Sequence, residues 1–184
     1  MLDAIRWDTD LIRRYDCAGP CYTAYPAAAE FNNTVGSFDL LHALRDSRKA
    51  MRPLSLYVHV PFCANICYYC ACNKVITKDR GRAQPYLQSL AREIKQIAQH
   101  LSPGQVVEQL HFGGGTPTFL SHDELRWLMA EIRQHFNLLD NDSGDYCIEI
   151  DPREADAAGV ALLRRLGFNR TSLGVQDFDP KVQA

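Results

Sequence analysis

The sequence predicts an α/β fold, a partial parallel (β/α) barrel that is preceded by an irregular N-terminal arm. Segments of β-forming residues alternate with segments of helical periodicity, and the order strand, loop, helix recurs along the chain. This order is typical of βαβ units, whose strands form a parallel sheet. Residues suited to chemistry come directly after these strands, where parallel sheets carry their sites. Residues 1–37 show little periodicity and form the arm.

Each element is predicted from its periodicity or from the residues at its ends. Strands are expected at residues 54–60, 106–112, 146–150 and 171–176. Helices are expected around residues 8–14 and at residues 38–49, 83–101 and 155–166, with a further helix that starts after Ser121. Ser121 and Glu124 form a capping box at the start of that helix, and Gly167 ends the last helix.

The repeated order divides the chain into two regions. Residues 1–52 are predicted to form the arm and a short helix, and residues 53–184 to form the first four strands of a (β/α) barrel. Because no helix follows the fourth strand, one edge of the sheet would stay unpaired, which complete domains avoid. We therefore expect a barrel that is truncated at its C-terminus, and a piece that is inactive and prone to aggregate when produced alone.

The composition argues against several classes of protein. Lys and Arg total 20 against 22 Asp and Glu, so the net charge of -2 gives no basic field for nucleic acid or an anionic membrane. No stretch approaches the roughly 20 apolar residues that span a bilayer. The N-terminus lacks the basic and apolar regions of a signal peptide. A cytoplasmic location is therefore expected.

Four of the seven cysteines fall within ten residues, which indicates metal or redox chemistry in a reducing compartment. Cys63, Cys67 and Cys70 have the spacing C-x3-C-x2-C, and Cys72 follows them. Thiolates on one loop suit an iron–sulfur cluster, and three of them leave one iron of a four-iron cluster open. Structural zinc sites usually take two separated pairs of ligands, so zinc is a weaker alternative, and a chance cluster of buried thiols is a third.

This cysteine motif, on the loop after the first strand, resembles the signature of the radical S-adenosylmethionine (SAM) superfamily. The resemblance implies a [4Fe-4S] cluster whose open iron takes the amino and carboxylate groups of SAM. One electron from the cluster then breaks the sulfonium bond and gives a 5′-deoxyadenosyl radical. A glycine loop after the second strand, residues 113–115, fits this interpretation because its backbone can approach a ligand without hindrance from Cβ atoms.

A closer resemblance rests on six short segments and on the arm. They are YVHVPFC at residues 57–63, CACNK at 70–74, HFGGGTPT at 111–118, EIDPRE at 149–154, GFNR at 167–170 and GVQDF at 174–178, with GPCYTAYP at 19–26 in the arm. Together they resemble the oxygen-independent coproporphyrinogen III oxidase (coproporphyrinogen dehydrogenase) family.

The resemblance to this family implies a reaction and its participants. The reaction is the oxidative decarboxylation of coproporphyrinogen III to protoporphyrinogen IX in haem biosynthesis, in which two propionate side chains become vinyl groups. The radical would abstract a propionate β-hydrogen, and loss of CO₂ and one electron would then give the alkene. The resemblance also implies an electron donor, an electron acceptor that the sequence does not identify, and a full-length protein that is a monomer.

Site residues are carried over from the family position by position. Cys63, Cys67 and Cys70 match the cluster ligands, and Cys72 matches a cysteine that is not a ligand and is a candidate for a further catalytic role. The family binds two SAM molecules. Residues that match contacts to the first are Tyr57, Gly114 and Glu149, and residues that match contacts to the second are Tyr69, Gly115, Thr116 and Gln176.

Other interpretations stay open. A haem chaperone of the same superfamily would share the cluster motif and the glycine loop, but such proteins typically lack the arm and the cysteine that matches Cys72, so the oxidase is favoured. Glu149 could instead pair with a nearby arginine such as Arg153, and Tyr57 could be an ordinary core residue. In the arm, Cys21 stands where the family commonly has arginine, which leaves the role of the arm in this protein undecided.

The remaining cysteines and the strand histidines are expected to be structural. Cys17 and Cys21 form a pair without a third ligand, and Cys147, in the middle of a strand, is expected to be a small buried residue. His59 and His111 lie on or at the end of the first two strands and are expected to be satisfied core residues.

Overall fold

The computed structural model describes residues 7–17, 30–67, 70–175, 178–179 and 181. The helices in these residues are α1 (Thr9–Tyr15), α2 (Ser37–Lys49), α3 (Ala83–Ala98), α4 (His122–His135) and α5 (Ala157–Leu166). The strands are β1 (Leu54–Val60), β2 (Phe62–Cys63), β3 (Val75–Ile76), β4 (Val106–Gly114), β5 (Asn137–Leu138), β6 (Asp145–Ile150) and β7 (Arg170–Leu173).

The chain divides into two compact units, Met1–Phe38 and Asp39–Ala184. The first unit contains α1, which begins after Asp8, whose carboxylate accepts two backbone N–H groups of the first turn. The second unit contains the whole sheet and helices α3 to α5. The domain boundary that the sequence suggests, between residues 52 and 53, stays a prediction.

The parallel sheet that the sequence predicts is confirmed. The four main strands lie in the order β1, β4, β6, β7, each parallel to its neighbour, and the short β5 also pairs with β4. The order across the sheet therefore follows the order along the chain, as in a (β/α) barrel, and the barrel is partial rather than closed. β2 and β3 form a separate two-stranded parallel sheet, which the sequence did not indicate.

Two elements end earlier than the sequence predicts. β7 covers Arg170–Leu173 rather than residues 171–176, because Gly174 has no side chain to pack and weakens a strand. Gln176 lies outside the described residues. α3 ends at Ala98, and the chain then turns so that Leu101 is buried in the core from outside the helix.

The core lies between one face of the sheet and the helices. Alternate strand residues point to the same face, and the even-numbered ones face the core. They are Val58, Val60, Leu110, Phe112 and Ile148, and they meet Leu87, Ile94, Leu128, Ile132 and Leu163 of the helices. Each such side chain contributes about 1.5–3 kcal/mol through burial. The helices therefore cover this face of the sheet.

The opposite face of the sheet carries polar side chains. Tyr57, His59, His111 and Glu149 have odd numbers, so they point away from the core residues of their strands. Tyr57 is 60% exposed, so its interpretation as a core residue is wrong. The expectation that His111 is a core residue is also wrong, since 34% of its side chain is exposed. Cys147 is 3% exposed and is buried as predicted.

The predicted helix ends are present. Ser121 and Glu124 form both bonds of the capping box at the start of α4. α5 begins later than predicted because the carboxylate of Asp156 accepts the N–H of Gly159 (2.7 Å) and caps it. It ends at Gly167, whose φ of 106° is the left-handed conformation that glycine adopts most easily. Within the described residues, no helix is long and apolar enough to cross a membrane.

One buried polar side chain, Gln105, links the approach to β4 with the chain before β1. Gln105 is 1% exposed. Its Nε2 donates to the backbone carbonyl of Arg52 (2.9 Å) and to the Ser47 hydroxyl (3.1 Å), and its Oε1 accepts the N–H of Ser102 (2.8 Å). Both the Nε2 and the Oε1 of the Gln105 amide are therefore hydrogen-bonded.

Replacing this amide by an apolar side chain should destabilise the fold. We expect Gln105→Leu to lower the free energy of unfolding by about 1–3 kcal/mol, because buried donors and acceptors lose their partners. Urea unfolding of the full-length protein measures the difference. Gln96→Leu, at an exposed position of α3, is the matched control and should change stability by less than about 0.5 kcal/mol. Equal unfolding midpoints for the two variants would contradict this role for Gln105.

Candidate functional site

The loop that carries the cysteines begins at the carboxyl end of β1 and is closed at its base by β2 and β3. The backbone N–H of Val75 donates to the carbonyl of Pro61 (2.7 Å), and the N–H of Thr77 donates to the carbonyl of Cys63 (2.9 Å). These bonds join the two ends of the loop. Its base is therefore fixed at the carboxyl edge of the sheet, where parallel sheets bind their ligands.

The three predicted cluster ligands differ in exposure. Cys63 is buried, whereas Cys67 and Cys70 are partly exposed. Burial raises the pKa of Cys63, the nearby thiols of Cys70 and Cys67 raise it further, and a hydrogen bond with the Thr116 hydroxyl, 3.5 Å away, opposes the rise. Cys67 and Cys70 are therefore close enough to Cys63 to affect its ionisation.

Cys70 and Cys72 are hydrogen-bonded to each other. Burial opposes ionisation of Cys70, but hydrogen bonds from Cys72 and the positive charge of Lys74 outweigh it and lower the pKa of Cys70. Burial, followed by the hydrogen bond with Cys70, raises the pKa of Cys72. Lys74 stays beside this pair because its Nζ donates to the carbonyls of Cys70 (3.0 Å) and Cys72 (3.4 Å). Lys74 therefore lies beside both thiols.

The donor set of this loop fits a cluster better than a single ion. In the part of the chain that the structure describes, no three His, Cys, Asp or Glu side chains are grouped to hold one metal ion. A four-iron cluster differs from a single ion, because each thiolate binds its own iron atom and the ligands surround the whole cluster. Three thiols on one closed loop, with the positive charge of Lys74 beside them, suit such an arrangement. A structural zinc site would need its ligands around one ion.

Each glycine of the glycine loop is packed against a different part of the site. A Cβ on Gly115 would lie 2.7 Å from the carbonyl oxygen of Pro61, and a Cβ on Gly114 would lie 2.7 Å from the ring of His59. Gly114 also has a φ of 113°, which other residues rarely adopt. A Cβ on Gly113 would lie 3.0 Å from Glu149. The absence of side chains thus allows the cysteine loop and two polar side chains to approach the backbone closely.

Backbone hydrogen bonds fix the glycine loop against the chain that leads to Cys63. The N–H of Gly115 donates to the carbonyl of Val60, and the N–H of Thr116 donates to the carbonyl of Phe62, both at 2.8 Å. These bonds place the Thr116 hydroxyl beside the Cys63 thiol. The glycine loop and the cysteine loop therefore form one continuous surface.

On the polar face, His59 links Tyr57 to the far end of the cysteine loop. His59 Nε2 lies 2.9 Å from the carbonyl oxygen of Asn73, so it donates a proton there. In the neutral ring Nδ1 is then an acceptor, and it receives the Tyr57 hydroxyl at 3.2 Å. Burial, then Glu149 and Cys72, raise the pKa of Tyr57. The tyrosine is therefore a neutral donor held between the strand and the loop.

Tyr57, His59, His111 and Glu149 form a polar row on this face of the sheet, and Glu149 is its last residue along the chain. Its Oε1 lies 3.1 Å from His111 Nε2, and its Oε2 accepts the N–H of Gly114 at 3.2 Å. The alternative that Glu149 pairs with Arg153 is wrong, because Arg153 binds Asp151 through Nε and a terminal nitrogen, the latter at 2.7 Å. This ion pair lowers the pKa of Asp151. Glu149 stays directed toward the glycine loop.

A cavity of about 300 Å³ lies elsewhere, between the starts of α4 and α5. Its lining includes Arg80, Phe119, His122 and Glu154. Arg80 donates to Glu154 at 2.6 Å and lies over the Phe119 ring, 4.3 Å from its centroid. The residues that line this cavity include none of the predicted site residues.

The structure brings most of the predicted site residues to one edge of the sheet. Tyr57, Gly114 and Glu149 lie on its polar face, and Gly115 and Thr116 lie beside Cys63. Tyr69, Gln176 and Cys21 lie outside the described residues. The roles of His59, His111 and Lys74 were not predicted from the sequence. Strand alternation was the available signal for the two histidines, because His59 lies two residues after Tyr57 and His111 lies two residues before Gly113, the first residue of the glycine loop.

Known proteins are similar to this chain in sequence and in fold. The radical SAM superfamily matches residues 57–184. An oxygen-independent coproporphyrinogen III oxidase of Pseudomonas aeruginosa is 73% identical over 183 residues, which cover 100% of this chain and 40% of the relative. A protein of the same name from Mannheimia haemolytica is 45% identical over 151 residues, which cover 82% of this chain and 100% of the relative. The solved structure of Escherichia coli coproporphyrinogen III oxidase, described as a radical SAM enzyme, matches this chain with a TM-score of 0.81 at 44% identity. The match covers 97% of this chain and 38% of the solved chain.

These matches agree with the site. The chain spans about 40% of the length of its Pseudomonas aeruginosa relative. The superfamily match begins at Tyr57, the first residue of the polar row, and includes every cysteine of the loop. Superfamily membership implies a [4Fe-4S] cluster and SAM, which the thiols of the loop suit. The chain belongs to the radical SAM superfamily and, within it, to the oxygen-independent coproporphyrinogen III oxidase family.

Proposed function

We propose that this protein converts coproporphyrinogen III to protoporphyrinogen IX by radical oxidative decarboxylation of two propionate side chains. The observation that carries the proposal is the three-cysteine loop at the carboxyl end of β1, which is fixed against the glycine loop, where the Gly114 N–H binds the Glu149 carboxylate. The name of the relative that is 73% identical supports the substrate and favours an oxidase over a haem chaperone. Other enzymes of haem biosynthesis would supply the substrate and use the product.

Cys63, Cys67 and Cys70 are the proposed ligands of the [4Fe-4S] cluster. The lowered pKa of Cys70 supports its role as a cluster ligand, since the thiolate is the form that binds iron. Cys72, which is hydrogen-bonded to Cys70, is proposed as a thiol that is not a ligand and that is available for a further catalytic role. The charge of Lys74, bound to two carbonyls of the loop, partly balances the negative charge of the thiolates.

Tyr57, Gly114 and Glu149 are the proposed contacts to SAM. When bound together, the cluster and SAM supply the carbon radical that removes a hydrogen atom from the substrate. The Glu149 carboxylate keeps acceptor positions beyond its two protein hydrogen bonds, and these suit the hydroxyl groups of a ribose. The Tyr57 ring offers an exposed aromatic surface next to it. These residues bind and orient the cofactor on the open face of the sheet.

A second SAM molecule is part of the proposal. Its contacts would be Tyr69, Gly115, Thr116 and Gln176. The N–H groups of Gly115 and Thr116 already donate to the carbonyls of Val60 and Phe62. The Thr116 side chain and the Cα of Gly115, which carries no side chain, are therefore the groups that can contact a ligand. The Thr116 hydroxyl is 3.5 Å from the Cys63 thiol, and this distance supports a second SAM molecule bound next to the proposed cluster.

The reaction also requires partners beyond the substrate. An electron donor must reduce the cluster, and an acceptor must take the electron that remains after CO₂ leaves. We propose a monomeric, cytoplasmic protein that binds neither nucleic acid nor membrane. The net charge of -2 supports the absence of these last two partners, and a reducing compartment suits free thiols such as Cys67 and Cys70.

Removing any one of the proposed ligands should abolish the cluster. After anaerobic reconstitution of the full-length protein, we expect Cys63→Ala, Cys67→Ala and Cys70→Ala each to lose the brown colour and most of the bound iron, because each thiolate ligates one iron atom. Iron analysis and the visible absorption spectrum measure this. The matched control Cys72→Ala changes a cysteine of the same loop and should keep its iron. Full iron content in Cys67→Ala, or iron loss in Cys72→Ala as large as in Cys70→Ala, would show that the ligands are misassigned.

Turnover tests the function directly. The reconstituted full-length protein, given coproporphyrinogen III, SAM and a reductant without oxygen, should release 5′-deoxyadenosine and CO₂ and form protoporphyrinogen IX. Glu149→Gln should reduce the rate by about tenfold or more, because a neutral amide is a weaker acceptor for hydroxyl groups than a carboxylate. Haem transfer without consumption of SAM would contradict the oxidase and support a haem chaperone.

A further inference from the structure

The contact between His111 and Glu149 has no role in the cofactor contacts proposed above. His111 Nε2 donates to Glu149 Oε1 at 3.1 Å, across the boundary between β4 and β6. Gly114 donates to the other oxygen, Oε2, at 3.2 Å. The two carboxylate oxygens are therefore each bonded to a different residue of β4, which fixes the plane of the carboxylate.

The His111 ring is itself held from two sides. Its ring stacks on Tyr57 with the centroids 5.7 Å apart and the planes 13° from parallel. Tyr57 and His111 are directly paired in the register of β1 and β4, which places their side chains next to each other. A Cβ on Gly113 would lie 3.0 Å from His111 Nε2 and 3.0 Å from Glu149 Oε1, so the glycine leaves the space that this hydrogen bond occupies.

Stability does not account for this pair. The side chains of His111 and Glu149 are 34% and 40% exposed. Pairs this accessible to water contribute little to folding, typically about 0–1 kcal/mol. The pair also lies on the face of the sheet opposite the helices and the hydrophobic core. Its geometry therefore suits a function on that open face.

We propose that His111 is a positioning residue, which orients the Glu149 carboxylate and supports the Tyr57 ring so that both present a preformed surface to SAM. This inference rests on the proposed function, in which Tyr57 and Glu149 contact SAM. Without the His111 donor, Glu149 would keep one protein hydrogen bond and could rotate away from the direction of the ligand. Binding would then include the cost of ordering the carboxylate.

The test measures SAM binding separately from turnover. Full-length proteins are reconstituted anaerobically, and their iron content, their thermal midpoint without SAM and their dissociation constant for SAM are measured. His111→Leu removes the donor. His111→Gln restores an N–H donor at about the same reach. Gln109→Leu is the matched control, since Gln109 lies two residues before His111 on the same strand and is exposed.

We expect His111→Leu to weaken SAM binding by about tenfold or more, as for the loss of a hydrogen bond to a charged group. Its iron content and thermal midpoint should match those of Gln109→Leu. His111→Gln should recover much of the affinity. In Glu149→Gln protein, the further change His111→Leu should have a smaller effect than in the wild type, because the two residues act through one contact.

Three outcomes would overturn the inference while leaving the proposed function standing. They are unchanged SAM affinity in His111→Leu, equal affinities for His111→Gln and His111→Leu, and effects of His111→Leu and Glu149→Gln that simply add. A wild-type protein with a complete cluster that binds no SAM would instead overturn the proposed function, and this inference with it. The two failures are therefore distinguishable by the wild-type measurement.

Discussion

The close backbone contact between the glycine loop and the start of the cysteine loop is the constraint on which the site depends. Gly115 and Thr116 donate to the carbonyls of Val60 and Phe62 at 2.8 Å, and no side chain could be added at Gly115 without meeting the carbonyl of Pro61. This contact fixes Cys63 relative to the carboxyl end of β4. Tyr57, His59, His111 and Glu149 then lie beside the cysteine loop, although His111 and Glu149 are distant from that loop in the sequence.

The sequence was sufficient to predict the arrangement of the main elements. Hydrophobic periodicity and end signals such as the Ser121 capping box gave the helices, and the repeated order of strand and helix gave a parallel sheet. The cysteine spacing and the motifs around Gly114 and Glu149 indicated the edge of the sheet that carries the site. These features are local in the chain, so they can be read without knowing which strands are neighbours.

The contacts within the site could not be predicted, because they depend on strand register and on side-chain reach. The alternative partner considered for Glu149, Arg153, lies four residues along the chain, but Glu149 binds His111 on the neighbouring strand instead. The bond of His59 to the Asn73 carbonyl likewise depends on how the cysteine loop returns to β3. The burial of Gln105 gave no periodic signal, since its partners lie in a turn and in the chain before β1.

The central claim is that three cysteines of one loop hold a cluster with one iron open to SAM. Mössbauer spectroscopy of the full-length protein, reconstituted with ⁵⁷Fe, tests it most directly, because this method reports the environment of each iron. The account predicts four irons per cluster, of which one changes its parameters when SAM is added while the other three do not. Spectra that are identical with and without SAM, in protein with a complete cluster, would contradict it.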